Sequence, residues 1–148
     1  MERRHAKTIL TILPQIDKYC ETVAKVNHAR AINSFNSPLQ DTYKLMELII
    51  DKTYKAQILH NLKIKAQRQL EIAPKNIQRA IKLSFLDGKK IAEIAKELGI
   101  TERTVFRQID KGLDWFTQVL DNVIAPSMFQ RLICDYKWIR SIYEDSLT

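Results

Sequence analysis

Residues that punctuate a backbone are scarce in this chain. Three glycines and four prolines are spread over 148 residues, so tight hairpins, which need positive φ or a preset turn, have almost nothing to form from. That argues against a sandwich or barrel of many short strands. Cysteine is rarer still. Cys20 and Cys134 stand far apart, outside any Cys-x-x-Cys pattern, which removes a disulfide scaffold and a zinc finger or ribbon. His5, His28 and His60 share no metal-ligand spacing; each is read as a surface or packing residue, and no metal or cofactor is expected. The opening Met1-Glu2-Arg3-Arg4-His5 leads into no apolar run long enough for a signal peptide or a membrane span. A cytoplasmic protein with free thiols is the expectation. Nor is there a Gly-rich phosphate loop, a Ser/His/Asp or Cys/His arrangement, or a carboxylate cluster in an apolar setting, so no enzyme is expected.

What the chain does have is Leu, Ile, Lys, Ala and Gln in quantity, and of these Leu, Lys, Ala and Gln are among the residues that lose least on entering a helix. An all-α fold follows: long N-terminal helices, then a helix-turn-helix, then a C-terminal helix. Ile9, Leu13, Ile16, Cys20, Val23 and Asn27 recur at spacings of four and three, the stripe of an amphipathic helix, which Pro14 either kinks or restarts. After the polar Asn33-Ser34-Phe35-Asn36-Ser37, the tetrapeptide Ser37-Pro38-Leu39-Gln40 supplies a capping Ser, a Pro at the first helical position and a Gln at the third. Nothing interrupts from Pro38 to Ala73. Leu39, Tyr43, Met46, Ile50 and Thr53 hold a seam that drifts through Ile58, Leu62 and Ile64. A helix this long outruns a small core, which leaves two readings open: it bends back near Asp51 to Lys55, or it serves as an arm for a second subunit.

Pro74 opens a third segment with Ile77, Ala80, Ile81, Ser84 and Phe85 on one face, and Asp87-Gly88 stops it. A short helix from about Lys90 to Leu98, a turn at Gly99-Ile100 and a helix capped by Thr101 follow. The stripe Val105, Ile109, Leu113, Phe116, Leu120 and Val123 carries that helix to about Ile124, where Ala125-Pro126 breaks it. Phe129, Leu132, Ile133, Tyr136, Ile139 and Tyr143 then share one face of a single C-terminal helix. Three regions result: 1–73, helical and a candidate for dimerisation; 74–124, the helix-turn-helix; and 125–148, a packing helix.

The net charge of +7 is unevenly placed. Between 74 and 111, nine basic residues face five acids, whereas from 112 to 148 three face five. A polyanion would therefore meet the middle of the chain rather than its tail. Trp115, Phe116, Trp138 and Tyr143, which lie in that acidic tail, are read as core or dimer surface and not as a base-stacking platform.

A helix-turn-helix needs a small side chain where its two helices meet and a residue tolerant of positive φ in the turn. Ala95 and Gly99 stand in those places, with Ile91, Ile94, Leu98, Ile100, Val105 and Ile109 as the apolar lock and Thr101 as the cap. With Val105 and Ile109 inward, Glu102, Arg103, Phe106, Arg107 and Asp110 fall on one outward arc. Arg103 and Arg107 have the fork that grips guanine, Glu102 can accept from a cytosine amino group, and Phe106 can rest on a thymine methyl. Lys89, Lys90, Thr101, Thr104 and Lys111 suit phosphate contacts. The competing reading makes the same charges the solvated face of an ordinary helical hairpin, with Phe106 packed inward or on a neighbour.

The stretch from Gly88 to Ile109, Gly-Lys-Lys-Ile-Ala-Glu-Ile-Ala-Lys-Glu-Leu-Gly-Ile-Thr-Glu-Arg-Thr-Val-Phe-Arg-Gln-Ile, resembles the helix-turn-helix of region 4 of bacterial sigma factors. It is similar also to the small sigma-like and ArpU-type transcription regulators of phages and prophages. The resemblance is specific from Ala80 to about Leu120. It implies that the helix from Glu102 enters the major groove while its partner lies across the backbone, with Gln108 also on the DNA side. Two positions depart from the pattern: Lys90 stands where a capping Ser or Thr is usual, and Gln108 where sigma factors often carry Arg. The expected function is a sequence-specific double-stranded DNA-binding regulator, sigma-like or of the phage late-gene activator type, working as a homodimer at the bacterial nucleoid with RNA polymerase as a candidate partner. The alternatives are a phage small terminase subunit, which joins a helix-turn-helix to ring-forming helices, and a helical protein-interaction module.

Overall fold

Strand-poor composition and uninterrupted apolar spacing give helices throughout. In the computed structural model, residues 1–34 and 39–146 are described, with the backbone alone for 39 and 40, and no strand occurs among them. The helices are α1 (Arg3–Ser34), α2 (Leu39–Glu71), α3 (Lys75–Ile81), α4 (Ile91–Leu98), α5 (Glu102–Val119), α6 (Pro126–Asp135) and α7 (Lys137–Asp145). One π-helical turn, Lys82–Leu86, extends α3, and a 3-10 turn, Leu120–Asn122, extends α5. The capping tetrapeptide from Ser37 to Gln40 lies outside the described residues. The chain divides into two compact units, residues 1–14 with 64–148, and residues 15–63.

The second unit is an antiparallel helical pair. Position by position, α1 ascends as α2 descends: Lys63 pairs with Asp17, the Cys20 thiol points to the Ala56 carbonyl, Asn27 Nδ2 donates to Thr53 Oγ1 at 3.0 Å, and Thr42 Oγ1 donates to the Ser34 carbonyl at 3.1 Å. Burial raises the Cys20 thiol above its ordinary pKa, and the neighbouring Asp17 carboxylate adds to the effect, so this sulfur stays a protonated packing group. Pro14 sits inside α1 without ending it, so one helix forms and not two. The α1 stripe lies as its spacing indicates, with Ile9, Leu13 and Ile16 buried and Cys20, Val23 and Asn27 half-buried.

Helix α2 does not bend back near Asp51 to Lys55: it runs unbroken from Leu39 to Glu71, with α1 of the same chain along one face. The seam is also displaced by one position: Thr42, Leu45, Ile49, Lys52 and Ala56 are the shielded residues, while Tyr43, Met46 and Ile50 are exposed. The physical reason is that apolar residues occur on several sides of this helix, so a three-four spacing can be drawn through more than one set of them.

In the first unit, α5 packs against both α3 and α4. Its whole predicted stripe, from Val105 through Ile109, Leu113, Phe116 and Leu120 to Val123, is buried, along with Ala6, Ile9 and Leu10 of α1, Leu70 of α2, and Ile81 and Ile94. Gly112 is the point of closest approach. A Cβ built there would lie 2.6 Å from Ile81 Cγ1 and 3.0 Å from Ile77 Cγ2, so only glycine lets α3 and α5 meet at this spacing. The C-terminal segment is two helices and not the single one expected. Tyr136 adopts φ −122, ψ 104 between them, its ring buried, and the Arg140 guanidinium donates to the Ile133 and Cys134 carbonyls at 3.0 and 3.1 Å. These bonds satisfy the open carbonyls at the end of α6 without a glycine or proline. Nearby, Arg4 lies 3.5 Å above the Tyr143 ring and His5 packs edge-on against Phe129.

Substituting Gly112→Val should therefore lower the free energy of unfolding by about 1–3 kcal/mol through overpacking. Adding Ile81→Ala should make the double variant more stable than the sum of the single costs, because the second change removes the atoms that clash. A chemical-denaturation double-mutant cycle reads the coupling, and strictly additive costs would show that the contact is unimportant.

Candidate nucleic-acid interface

The turn between α4 and α5 is built as its residue types require. Gly99 takes φ +67, ψ 34, the left-handed conformation, and the Ile100 N–H reaches back to the Ala95 carbonyl at 3.1 Å, which closes α4 and sends the chain on at an angle. Ala95 is buried beside Ile94, where a larger side chain would hold the helices apart. Thr101 then begins α5. Its Oγ1 accepts from the Thr104 N–H at 3.2 Å and lies 2.8 Å from the Thr104 hydroxyl, satisfying one of the open donors at the helix start.

Upstream, Gly88 also takes the left-handed conformation, φ +65, as the Asp87-Gly88 stop demands. The π-helical turn before it carried no sequence signal. The Asp87 N–H bonds the Lys82 carbonyl and the Lys89 N–H the Leu83 carbonyl, so the widened turn joins directly to the glycine.

Residues of the expected reading face then fall into three groups. Glu102, Arg103, Phe106, Arg107 and Lys111 are exposed along α5, as are Thr101 before it and Lys90 before α4. Thr104 and Gln108 are half-buried on the flank of α5, and Thr104 is engaged with the cap. Lys89 is half-buried and tied by its ammonium to Glu97; that hydrogen bond holds its pKa above the ordinary lysine value. Phe106 is 57% exposed, so it does not pack inward. Among the described residues neither Arg103 nor Arg107 takes part in an ion pair, so both forks are open to an external acceptor.

No local pattern in the chain marks Arg3. Its guanidinium pairs with the Asp110 carboxylate and lies 3.8 Å from that of Asp114, and it also donates to the Asp110 carbonyl at 3.4 Å. The acids that follow the arginines on α5 are thereby partly neutralised by a cation from the far N-terminal end of the chain. Only the fold could reveal this, since no local spacing connects the two.

With this geometry in view, the comparison with known families is specific. Residues 68–115 match the family model described as Sigma-70, region 4. This segment is similar to sigma region 4 and folds as a helix-turn-helix of that type. The match takes in the last turn of α2, all of α3 and α4, and most of α5, about a third of the chain. No curated protein and no solved structure matches the chain. Sigma region 4 helix-turn-helices are DNA-binding and non-catalytic. Among the described residues no helix is long and apolar enough to cross a membrane.

The Thr101 cap has a measurable consequence. Thr101→Ala should cost about 1 kcal/mol of stability, while Thr101→Asp, which keeps an acceptor and places negative charge at the helix start, should stay near the wild type. Thermal unfolding monitored by circular dichroism separates the two; equal melting temperatures for Ala and Asp would mean that the cap contributes nothing.

Proposed function

We propose that this protein is a sequence-specific regulator of transcription that reads the major groove of double-stranded DNA with α5, and that it is sigma-like or of the phage late-gene activator type. The observation that carries this reading is the outward edge of Arg103, Phe106 and Arg107, exposed on a helix whose opposite face is buried, within a segment of the sigma region 4 type. The bare guanidiniums match the O6/N7 edge of guanine and the ring suits a thymine methyl. Lys90, Lys111 and the Thr101 hydroxyl flank this edge where phosphates would run. Lys89 reaches a phosphate by exchanging its Glu97 partner, and Glu102 and Gln108 complete the contact set.

The protein acts in this reading as a homodimer in the cytoplasm at the nucleoid, with residues 74–124 contacting DNA, the helices of 1–73 pairing two copies and the helices of 125–148 packing behind them. A single helix-turn-helix offers few base contacts, each worth about 1–3 kcal/mol of discrimination when bidentate, so two copies on a paired site are the direct route to selectivity. RNA polymerase is the proposed protein partner.

Binding of the purified protein to duplex fragments from its own genomic neighbourhood, measured as a salt series, tests the proposal. One fragment should be held far more tightly than the rest, and an Arg103→Ala, Arg107→Ala variant of unchanged helical content should lose at least about 30-fold of that preference, two bidentate contacts at the low end of their range. Weak binding that is driven by salt alone and unchanged in the variant would sink the reading. Arg3→Ala should leave stability within about 1 kcal/mol, because the ion pair is solvent-exposed. It should nevertheless weaken DNA binding several-fold, since Asp110 and Asp114 would then face the phosphates uncompensated; unaltered affinity would show that Arg3 has no part in the interface.

A further inference from the structure

Between its buried ends, at Ile16 and at Leu59 and Leu62, the 15–63 unit carries large apolar residues on its outside. From Asp17 to Ile58 no described residue is buried, yet Tyr43, Met46, Ile50 and Tyr54 of α2 are 61%, 50%, 66% and 58% exposed. Their spacing of three, four and four places them in one line along three turns of the helix. The inner seam with α1 is by contrast partly polar, with Asn27 bonded to Thr53, Thr42 to the Ser34 carbonyl, and Lys52 half-buried. This inverted distribution is that of a helix pair whose apolar contact is made to something outside itself.

We propose that this outer face of α2 joins two copies of the chain, α2 against α2, antiparallel about a two-fold axis, so that the two helical pairs form a four-helix bundle. The assignment rests on the reading of the protein as a regulator that binds DNA as a pair, and it names the surface that does the pairing.

Three features favour a second copy as the occupant. The line is nearly palindromic, with a tyrosine at each end and Met46 and Ile50 between, so a two-fold axis near residue 48 sets Tyr43 against Tyr54 of the other copy and Met46 against Ile50 of the other copy. Self-complementarity of this kind is what an isologous contact requires. On one flank, Lys44 and Asp51 are related by nearly the same axis, so each lysine comes level with the other copy's aspartate, the charge arrangement that fixes register in paired helices. The four side chains offer on the order of 500 Å² per copy, and two copies with their flanks reach the lower part of the range of about 1,200–2,000 Å² that stable interfaces bury.

Sedimentation equilibrium of the full chain should give a dimer, and an Ile50→Glu, Tyr54→Glu variant should dissociate at least about 100-fold more readily with its helical circular dichroism unchanged. A wild-type monomer at high micromolar concentration, a ring of eight or more subunits, or a folded variant that remains dimeric would each overturn the assignment. Should the variant unfold, cross-linking decides. In a Cys20→Ser, Cys134→Ser background, chains carrying Met46→Cys mixed with chains carrying Ile50→Cys should form a disulfide-linked heterodimer on mild oxidation, and its absence overturns the antiparallel register. DNA binding measured on the same samples keeps the two ideas apart. A dimer that binds no DNA fragment selectively ends the regulator reading but leaves the pairing surface intact, whereas selective DNA binding by a monomer ends the pairing alone.

Discussion

The 64–148 part of the fold depends on helix α5 serving two environments at once. One face must be buried for the surrounding helices to have a core, and the other must remain bare if the helix is to meet a ligand. Six apolar positions, from Val105 to Val123, satisfy the first demand, and the exposed Arg103, Phe106 and Arg107 are what the same periodicity leaves over. Orientation of this exposed edge is thus a by-product of core formation, because the burial of Val105 and Ile109 sets the rotation of the helix about its axis. The close contact at Gly112 then sets how deeply α5 sits against α3. A rigid element with a locked rotation is the condition for placing side chains against base edges with useful accuracy.

Electrostatics reinforce the same division. Positive charge is concentrated on the chain between 74 and 111, but the two acids on the later turns of α5 would oppose a phosphate backbone if left alone. The N-terminal helix supplies Arg3 against both. Lys89 shows the opposite arrangement, a basic residue of the proposed interface held by Glu97 within its own motif. Exposed pairs of this sort contribute little to stability, and their importance lies in which charges remain free for an incoming polyanion.

The two helical regions illustrate how differently pattern can translate into structure. In α1 and α5 the stripe read from the sequence is on the shielded side, buried along the whole of α5 and, in α1, buried as far as Ile16 and half-buried beyond it. In α2 the apolar residues are scattered round the helix; the set containing Tyr43, Met46 and Ile50 had as good a spacing as the set that faces α1, and spacing could not choose between them. The break at Tyr136 was invisible for another reason. Helix ends are usually marked by glycine or proline, whereas here an arginine four residues on satisfies the free carbonyls.

The sequence by itself determined the all-helical fold, the turn at Gly99, the cap at Thr101 and the outward arc of α5, because each depends on residues within one or two helical turns and on backbone preferences that act locally. The register of α2 against α1, the meeting of Gly112 with Ile81, the division of the C-terminal segment and the union of Arg3 with Asp110 were decided only by the tertiary structure. Each of these depends on groups brought together from separate parts of the chain, and their distance in space is a property of how whole helices pack rather than of any spacing along the chain.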